Sequence, residues 1–425
     1  NLVKVLSDID VSGKRVFVRA DLDVPSEQLT LRCTQGHLFE PEPQSRRPEL
    51  AERVTIDPST SLRAGSSQLA ESIRLKSLKP TVDYLLQHEA SRIIIAGHIG
   101  RPSFTKVTEG KPPLYSEELS TKQLLEPLEK ILERRIDFLS NFVILNDSEG
   151  SKKRDSSSST QNDNQLVLLE NLRFWPGEVE NDQEFAKKLA SMADIYINEA
   201  FGNCHRNHAS MAALPQLFTD VEDLLESERP RSRRPEGFHP RRAVGLHLEK
   251  EVEVLGLLLD SPQRPFIAIV GGAKIETKVP AIENLARIAD WVLVGGAIAR
   301  EFQISNFKFQ ISNVVVATSE VNDKDIDQES IGKFKQIIST AKSVVWNGPM
   351  GIFEEGFEKG TMAIAKAIVD SGAYSIVGGG ETTEFLSSKE LISPPAGGFS
   401  FVSVGGGAML EFLAGKKLPG LKALQ

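Results

Sequence analysis

Short β-rich runs, most closed by glycine or a turn and followed by residues at helical spacing, form two successive series along this chain. The first takes in residues 16–18, 93–95, 166–169 and 195–197; the second takes in 266–270, 291–294, 314–316, 344–346 and 375–377. The strands are continuously apolar rather than alternating, which calls for parallel sheets covered on both faces. The segments between them carry helical periodicity, as with Phe185, Leu189 and Met192, where Asn181 or Asp182 is placed to cap. The predicted fold is α/β: two doubly wound parallel-sheet domains facing a cleft, with ligands at the carboxyl ends of the strands. A length of 425 residues agrees, because one core of that size gives way to two.

Composition narrows the function classes. Apolar residues at 40% and charged residues at 25% describe a globular chain. A net charge of −8 argues against a nucleic-acid partner. Cys33 and Cys204 stand far apart and make neither a disulfide framework nor a zinc module. No apolar run nears the roughly 18 residues of a membrane span, and the opening NLVKVLSDIDVSGK lacks a signal-peptide core, so a cytoplasmic protein is expected. Polar, non-periodic stretches at 26–70, 147–164 and 226–242 read as surface insertions outside the catalytic cleft. RRPE occurs in the first and third of them, and FQISN repeats directly at 302–306 and 309–313.

The chemistry-bearing motifs also fall into two sets. In the second half, GGAKIETK (271–278), WNGPMGIFE (346–354), GGGET (378–382) and GGGA (405–408) follow or abut strands. Glycines there let backbone N–H groups approach phosphate oxygens, and a helix starting just beyond adds its positive end. Neither GxxxxGK[ST] nor GxGxxG occurs, which removes the usual warrant for a Walker-type NTPase or a dinucleotide dehydrogenase. In the first half, RADLDVP (19–25), GHIGRP (97–102), LLENLRF (168–174) and FGNCHRNHAS (201–210) each set Arg or His at or just past a strand. Arginines converging from several loops suit a small anionic substrate.

In this order the segments resemble those of the phosphoglycerate kinase family. RADLDVP is similar to its RVDFNVP, GHIGRP to SHLGRP, and LLENLRF is identical to its pattern; GGAKIETK, WNGPMGIFE, GGGET and the closing GGGAMLEFLAGKKLPG match its second-half segments. The resemblance implies reversible phosphoryl transfer from 1,3-bisphosphoglycerate to ADP, giving 3-phosphoglycerate and ATP, by hinge closure in a monomer. It implies an N-terminal substrate domain over 1–244, a nucleotide domain over 245–410, a junction near 245–258, and a segment 411–425 returning to the first domain. Arg19, Asp21, Asp23, His98, Arg101, Arg173 and Arg206 are then expected to bind 3-phosphoglycerate, with Arg74, six residues before Pro80, as the catalytic arginine. Gly272, Lys274, Lys278, Gly295, Gly296, Asn347, Pro349, Gly351, Glu354, Gly378, Gly379, Gly380, Glu381 and Thr382 are expected around the nucleotide. Of these, Lys274, Lys278, Gly379 and Gly380 would act on the transferring group, Glu354 on the ribose, and Glu381 on Mg²⁺.

Several positions depart from the family pattern. Asp23 stands for Asn, adding a negative charge whose repulsion of an anion at ~4 Å is several kcal/mol in an effective dielectric of ~20. Glu381 and Glu199 stand for Asp, Val404 for Thr and Thr277 for an acid, and the segment after Gly295 is shortened. The alternative reading is therefore a degenerate homologue that keeps the fold and substrate pocket without useful turnover.

Overall fold

The computed structural model describes residues 3–24, 72–102, 114–141, 165–218, 241–273, 275–304, 312–319, 324–392 and 398–425. The stretches 26–70, 147–164 and 226–240, Lys274, and residues 305–311 within the FQISN repeat lie outside the described residues. The chain divides into two compact units. One comprises Asn1–Ala200, Asn207–His247 and Ala423–Gln425; the other comprises Phe201–Arg206 and Leu248–Lys422.

The first unit holds six parallel strands, β1 (Arg15–Arg19), β2 (Arg92–Ala96), β3 (Ile136–Leu139), β4 (Leu166–Leu169), β5 (Ile195–Asn198) and β6 (Arg242–Val244), in the order β3-β4-β2-β1-β5-β6. Alternate residues of the central strands point to opposite faces. Val16, Val18, Ile93, Ile95, Leu166, Leu168, Ile195 and Ile197 share one apolar cluster with Leu75, Leu78, Val82, Leu85 and Leu128 from the flanking helices. On the other face Phe17 stacks on Tyr196, whose ring also meets Phe218. With both faces covered, continuous apolar strands are what this sheet requires, and each such buried side chain contributes roughly 1.5–3 kcal/mol relative to exposure.

The second unit repeats the plan with β7 (Phe266–Val270), β8 (Trp291–Val294), β9 (Val314–Val316), β10 (Ser343–Asn347), β11 (Tyr374–Gly378) and β12 (Phe401–Ser403), ordered β12-β11-β10-β7-β8-β9 and again all parallel. Helices Ile275–Ile288 and Gly407–Leu413 pack together, as do Gln328–Ile338 and Lys359–Ser371.

Two sequence expectations resolve in detail. Asp182 rather than Asn181 caps the helix Gln183–Ala190, its carboxylate accepting from Phe185 N at 2.7 Å, while Asn181 adopts a positive φ of 57°. The third polar stretch stops short of its predicted end. Arg242 is buried in β6 opposite Tyr196, because an arginine can lay its stem along the sheet and donate to Pro215 O.

At the start of β1, Arg15 forks onto Asp194 with contacts of 2.8 and 3.1 Å, and this side-chain hydrogen bond is the main cause that holds the Asp194 carboxyl down at about 2. A depressed folded pKa stabilises above the unfolded value of ~3.9 and is lost as pH falls through about 2. Both side chains are more than a third exposed, so solvent screening limits the contribution to about 0–1 kcal/mol. Asp194→Asn should therefore lower the urea midpoint slightly at neutral pH, with the gap to wild type closing as the pH drops from about 4 to about 2. A gap unchanged across that window would remove the ion pair from the acid response.

Candidate active site

In the first unit, the loops leaving β1, β2 and β4 are tied to one another by their backbones. Leu172 N donates to Gly97 O (3.0 Å), and the Asn171 side chain donates to Ile99 O (2.8 Å) and to Leu119 O (2.8 Å) while accepting from Arg173 N. Gly97 has no room for a side chain, since a Cβ there would lie 2.7 Å from the Leu22 side chain and 2.9 Å from Ala20 O. These ties gather Asp21, Asp23, Arg74, His98, Gly100 and Arg173. Arg173 donates to Gly100 O (2.6 Å), and Gly100 N donates to Asp23 Oδ1 (2.8 Å). Arg74 donates to Asp23 O (2.7 Å) and stands 3.6 Å from Asp21 Oδ1, while His98 Nε2 lies 3.8 Å from Asp23 Oδ2. The Asp23 charge predicted to repel an anion is thus partly met by an amide donor and neighbouring cationic and imidazole groups.

Not every expected residue has the surface for its expected part. Arg19 is 0% exposed; its Nε donates to Ser210 Oγ, one Nη donates to Ala20 O, and the other lies 2.8 Å from His98 Nδ1. The guanidinium is enclosed by these groups, and its donors are directed into the protein. Arg101 is exposed, whereas Arg206 is half-buried and belongs to the segment grouped with the second unit. Glu199 is buried and accepts from Thr81 Oγ1 (3.0 Å) and His247 N (2.8 Å).

In the second unit, β7 and β10 are neighbours whose connections run to opposite sides of the sheet, so their carboxyl ends border a topological switch point. The expected glycine turns meet there. Gly271 N donates to Asn347 O (2.9 Å), Gly272 N to Pro349 O (2.8 Å), and Ile298 N to Gly272 O (3.0 Å) beside Gly296. Lys278 is buried with its amine on Gly271 O. Gly378 ends β11, Gly379 caps the helix Gly380–Ser388 at φ 99°, and Glu381 is exposed in that helix's first turn. Glu354 is exposed on a short turn, Phe353–Glu355.

Thr382 is likewise turned inward. It is fully buried and accepts from Gly348 N (3.0 Å), so its hydroxyl fastens one glycine turn to the next helix. Asn347 is likewise buried, with its amide on Met409 Sδ (3.6 Å), and Gly351 sits against Asp325, whose carboxylate accepts from Gly360 N (2.9 Å). Asp325 and Glu178 lie in runs that read as ordinary polar turns, and Ser210 closes the FGNCHRNHAS motif without a charge to mark it, so none of the three is expected from the sequence as a site support.

Cationic loops gathered on one sheet, and glycine turns at the switch point of another, define an α/β phosphotransferase. Comparison with known proteins makes the class particular: the phosphoglycerate kinase family model matches residues 55–228, 235–323 and 304–416, and this chain belongs to that family. A phosphoglycerate kinase of Anaeromyxobacter dehalogenans is 32% identical across 100% of this chain and 99% of its own length, and one of Solibacter usitatus is 32% identical across 99% and 98%. Among solved structures, phosphoglycerate kinase from Coxiella burnetii aligns over 100% of this chain and 99% of its own with a TM-score of 0.63 and 27% identity. The phosphoglycerate kinase from Pyrococcus horikoshii shares the fold at a TM-score of 0.66.

Proposed function

We propose that this chain catalyses the reversible transfer of a phosphoryl group between 1,3-bisphosphoglycerate and ADP, giving 3-phosphoglycerate and ATP. The observation that carries this reading is the family match along the whole chain, and nothing among the described residues favours the degenerate alternative. Asp21, Asp23, His98, Arg101 and Arg173 of the first unit, and Arg206 of the segment grouped with the second, are assigned to 3-phosphoglycerate, and the glycine turns with Lys274, Lys278 and Glu354 to the nucleotide. The attacking group is already an anion, either a carboxylate or a nucleotide phosphate, so no general base is needed. What remains is positioning and neutralisation of the equatorial oxygens, for which Arg74, the lysines and the amides of Gly379 and Gly380 are suited.

Among the described residues no group of three or more His, Cys, Asp or Glu side chains is placed to hold a metal ion. Glu381 offers one exposed carboxylate beside the glycine turn, a donor set that fits Mg²⁺ arriving with nucleotide phosphates, which keeps most of its shell as water and phosphate oxygen. When bound, Mg²⁺ would neutralise charge on the phosphate oxygens. None of the helices among the described residues is long and apolar enough to cross a membrane, and a cytoplasmic monomer without nucleic-acid or membrane partners completes the reading.

The test is a coupled assay of ATP-dependent 1,3-bisphosphoglycerate formation from 3-phosphoglycerate. Turnover that depends on both substrates and on Mg²⁺ is expected. A folded protein that binds 3-phosphoglycerate yet shows no turnover would establish the degenerate alternative.

A further inference from the structure

Arg19 sits at the end of β1 with no exposed surface, and its guanidinium is bonded to a hydroxyl, a backbone carbonyl and an imidazole rather than to a carboxylate. A buried guanidinium needs a compensating anion. Here the anion stands one residue removed. Ser210 Oγ accepts from Arg19 Nε (2.8 Å) and donates to Glu178 Oε1 (2.6 Å), and Ser210 N donates to Glu178 Oε2 (2.9 Å). Glu178 is 0% exposed, and Tyr196 Oη donates to Ser210 O (2.8 Å), which holds the serine backbone in place. A hydroxyl has one proton. Given to Glu178, it leaves the oxygen lone pairs turned to Arg19, so the row has a single polarity.

At the other end of the guanidinium, Nη2 lies 2.8 Å from His98 Nδ1. Arginine donates and never accepts, so Nδ1 must be the acceptor and carry no proton. The remaining imidazole proton is then on Nε2, the nitrogen that faces Asp23 Oδ2 at 3.8 Å. We propose that Glu178, Ser210 and Arg19 are positioning residues that act through His98, holding its ring as the neutral Nε2–H tautomer at the edge of the Asp23, Arg74 and Arg173 cluster. Arg19 thereby serves the pocket without touching what binds there. The inference rests on the proposed function only in naming 3-phosphoglycerate as the occupant of that pocket.

Nitrogen NMR of the full chain labelled at histidine tests the relay, with the His98 signal among the seven histidines identified by its loss in His98→Gln. Wild type should show His98 protonated on Nε2 alone. Ser210→Ala should produce mixed tautomers and raise the KM for 3-phosphoglycerate about fivefold to tenfold, the scale of one lost ordinary hydrogen bond, with a smaller change in kcat. Ser210→Thr, which keeps the hydroxyl, should restore both readouts. Glu178→Gln serves if the alanine variant does not fold, since an amide donor facing Ser210 turns the hydroxyl proton toward Arg19 and should shift the tautomer in the same direction. A proton on Nδ1 in wild type, or a tautomer indifferent to both Ser210→Ala and Glu178→Gln, would overturn the proposal. If the tautomer responds as expected but 3-phosphoglycerate leaves the His98 signal and the variant KM unchanged, the relay stands and the identity of the occupant fails.

Discussion

Replacing Arg74 with alanine should lower kcat by about 10²–10³-fold, the usual loss when one preorganised donor to transition-state charge is removed. The expected change in KM is far smaller. Arg74 lies on the short helix Ile73–Lys76, with its guanidinium anchored by Asp23 O at 2.7 Å and balanced by Asp21 at 3.6 Å. Its side chain is still 28% exposed, so unlike Arg19 it keeps donors available to a ligand. A cation held in place but not used up can meet charge as it develops and need not reorganise to do so. Arg173→Ala should behave differently. Arg173 braces Gly100 O and, in the proposed function, holds the substrate, so its loss should chiefly raise the KM for 3-phosphoglycerate. Steady-state kinetics of both variants, after circular dichroism confirms folding, decide the matter. A near-normal kcat in Arg74→Ala would withdraw its catalytic role.

Gly348→Ala should remove nucleotide binding and cost about 2–5 kcal/mol of stability, combining backbone strain with overpacking. Gly348 has a φ of 95°, and a Cβ there would lie 2.2 Å from Gly271 O, 2.4 Å from Gly271 C and 2.7 Å from the Lys278 amine. The first two atoms are backbone and cannot rotate away. Relief would require parting the turns after β7 and β10, which Gly271 N to Asn347 O and Gly272 N to Pro349 O hold together. Gly356→Ala is the control. It has a similar φ of 87° but nothing within 4 Å of the added carbon, so it should incur only the conformational cost and leave nucleotide affinity near wild type. Calorimetric titration with ADP and urea unfolding of the two variants separate the effects. Equal losses in both would show that the close approach of the two turns is not what the glycine serves.

The central strands are legible along the chain. Its continuous apolar runs leave a doubly covered parallel sheet as the simplest solution, and glycines mark where the chain leaves each strand. The sequence did not reveal β3, β6 or β12, each at a sheet edge, because IDFL, RAV and FVS are short runs broken by a charged or polar residue, whereas the fourth edge strand, β9, is the unbroken apolar run VVV. Motif order carried the family. Arg19 and Thr382 stand where ligand-binding groups stand, and only the tertiary structure shows both turned inward, one toward Ser210 and His98, the other toward Gly348 N. Glu178, in the run WPGEVEN, looks like any solvated acid until folding buries it. Local periodicity is set by neighbours a few residues apart and can be read along the chain. The bond from Arg19 to Ser210 spans 191 residues, and its existence depends on both sheet faces being packed at once. That is a property of the tertiary structure alone.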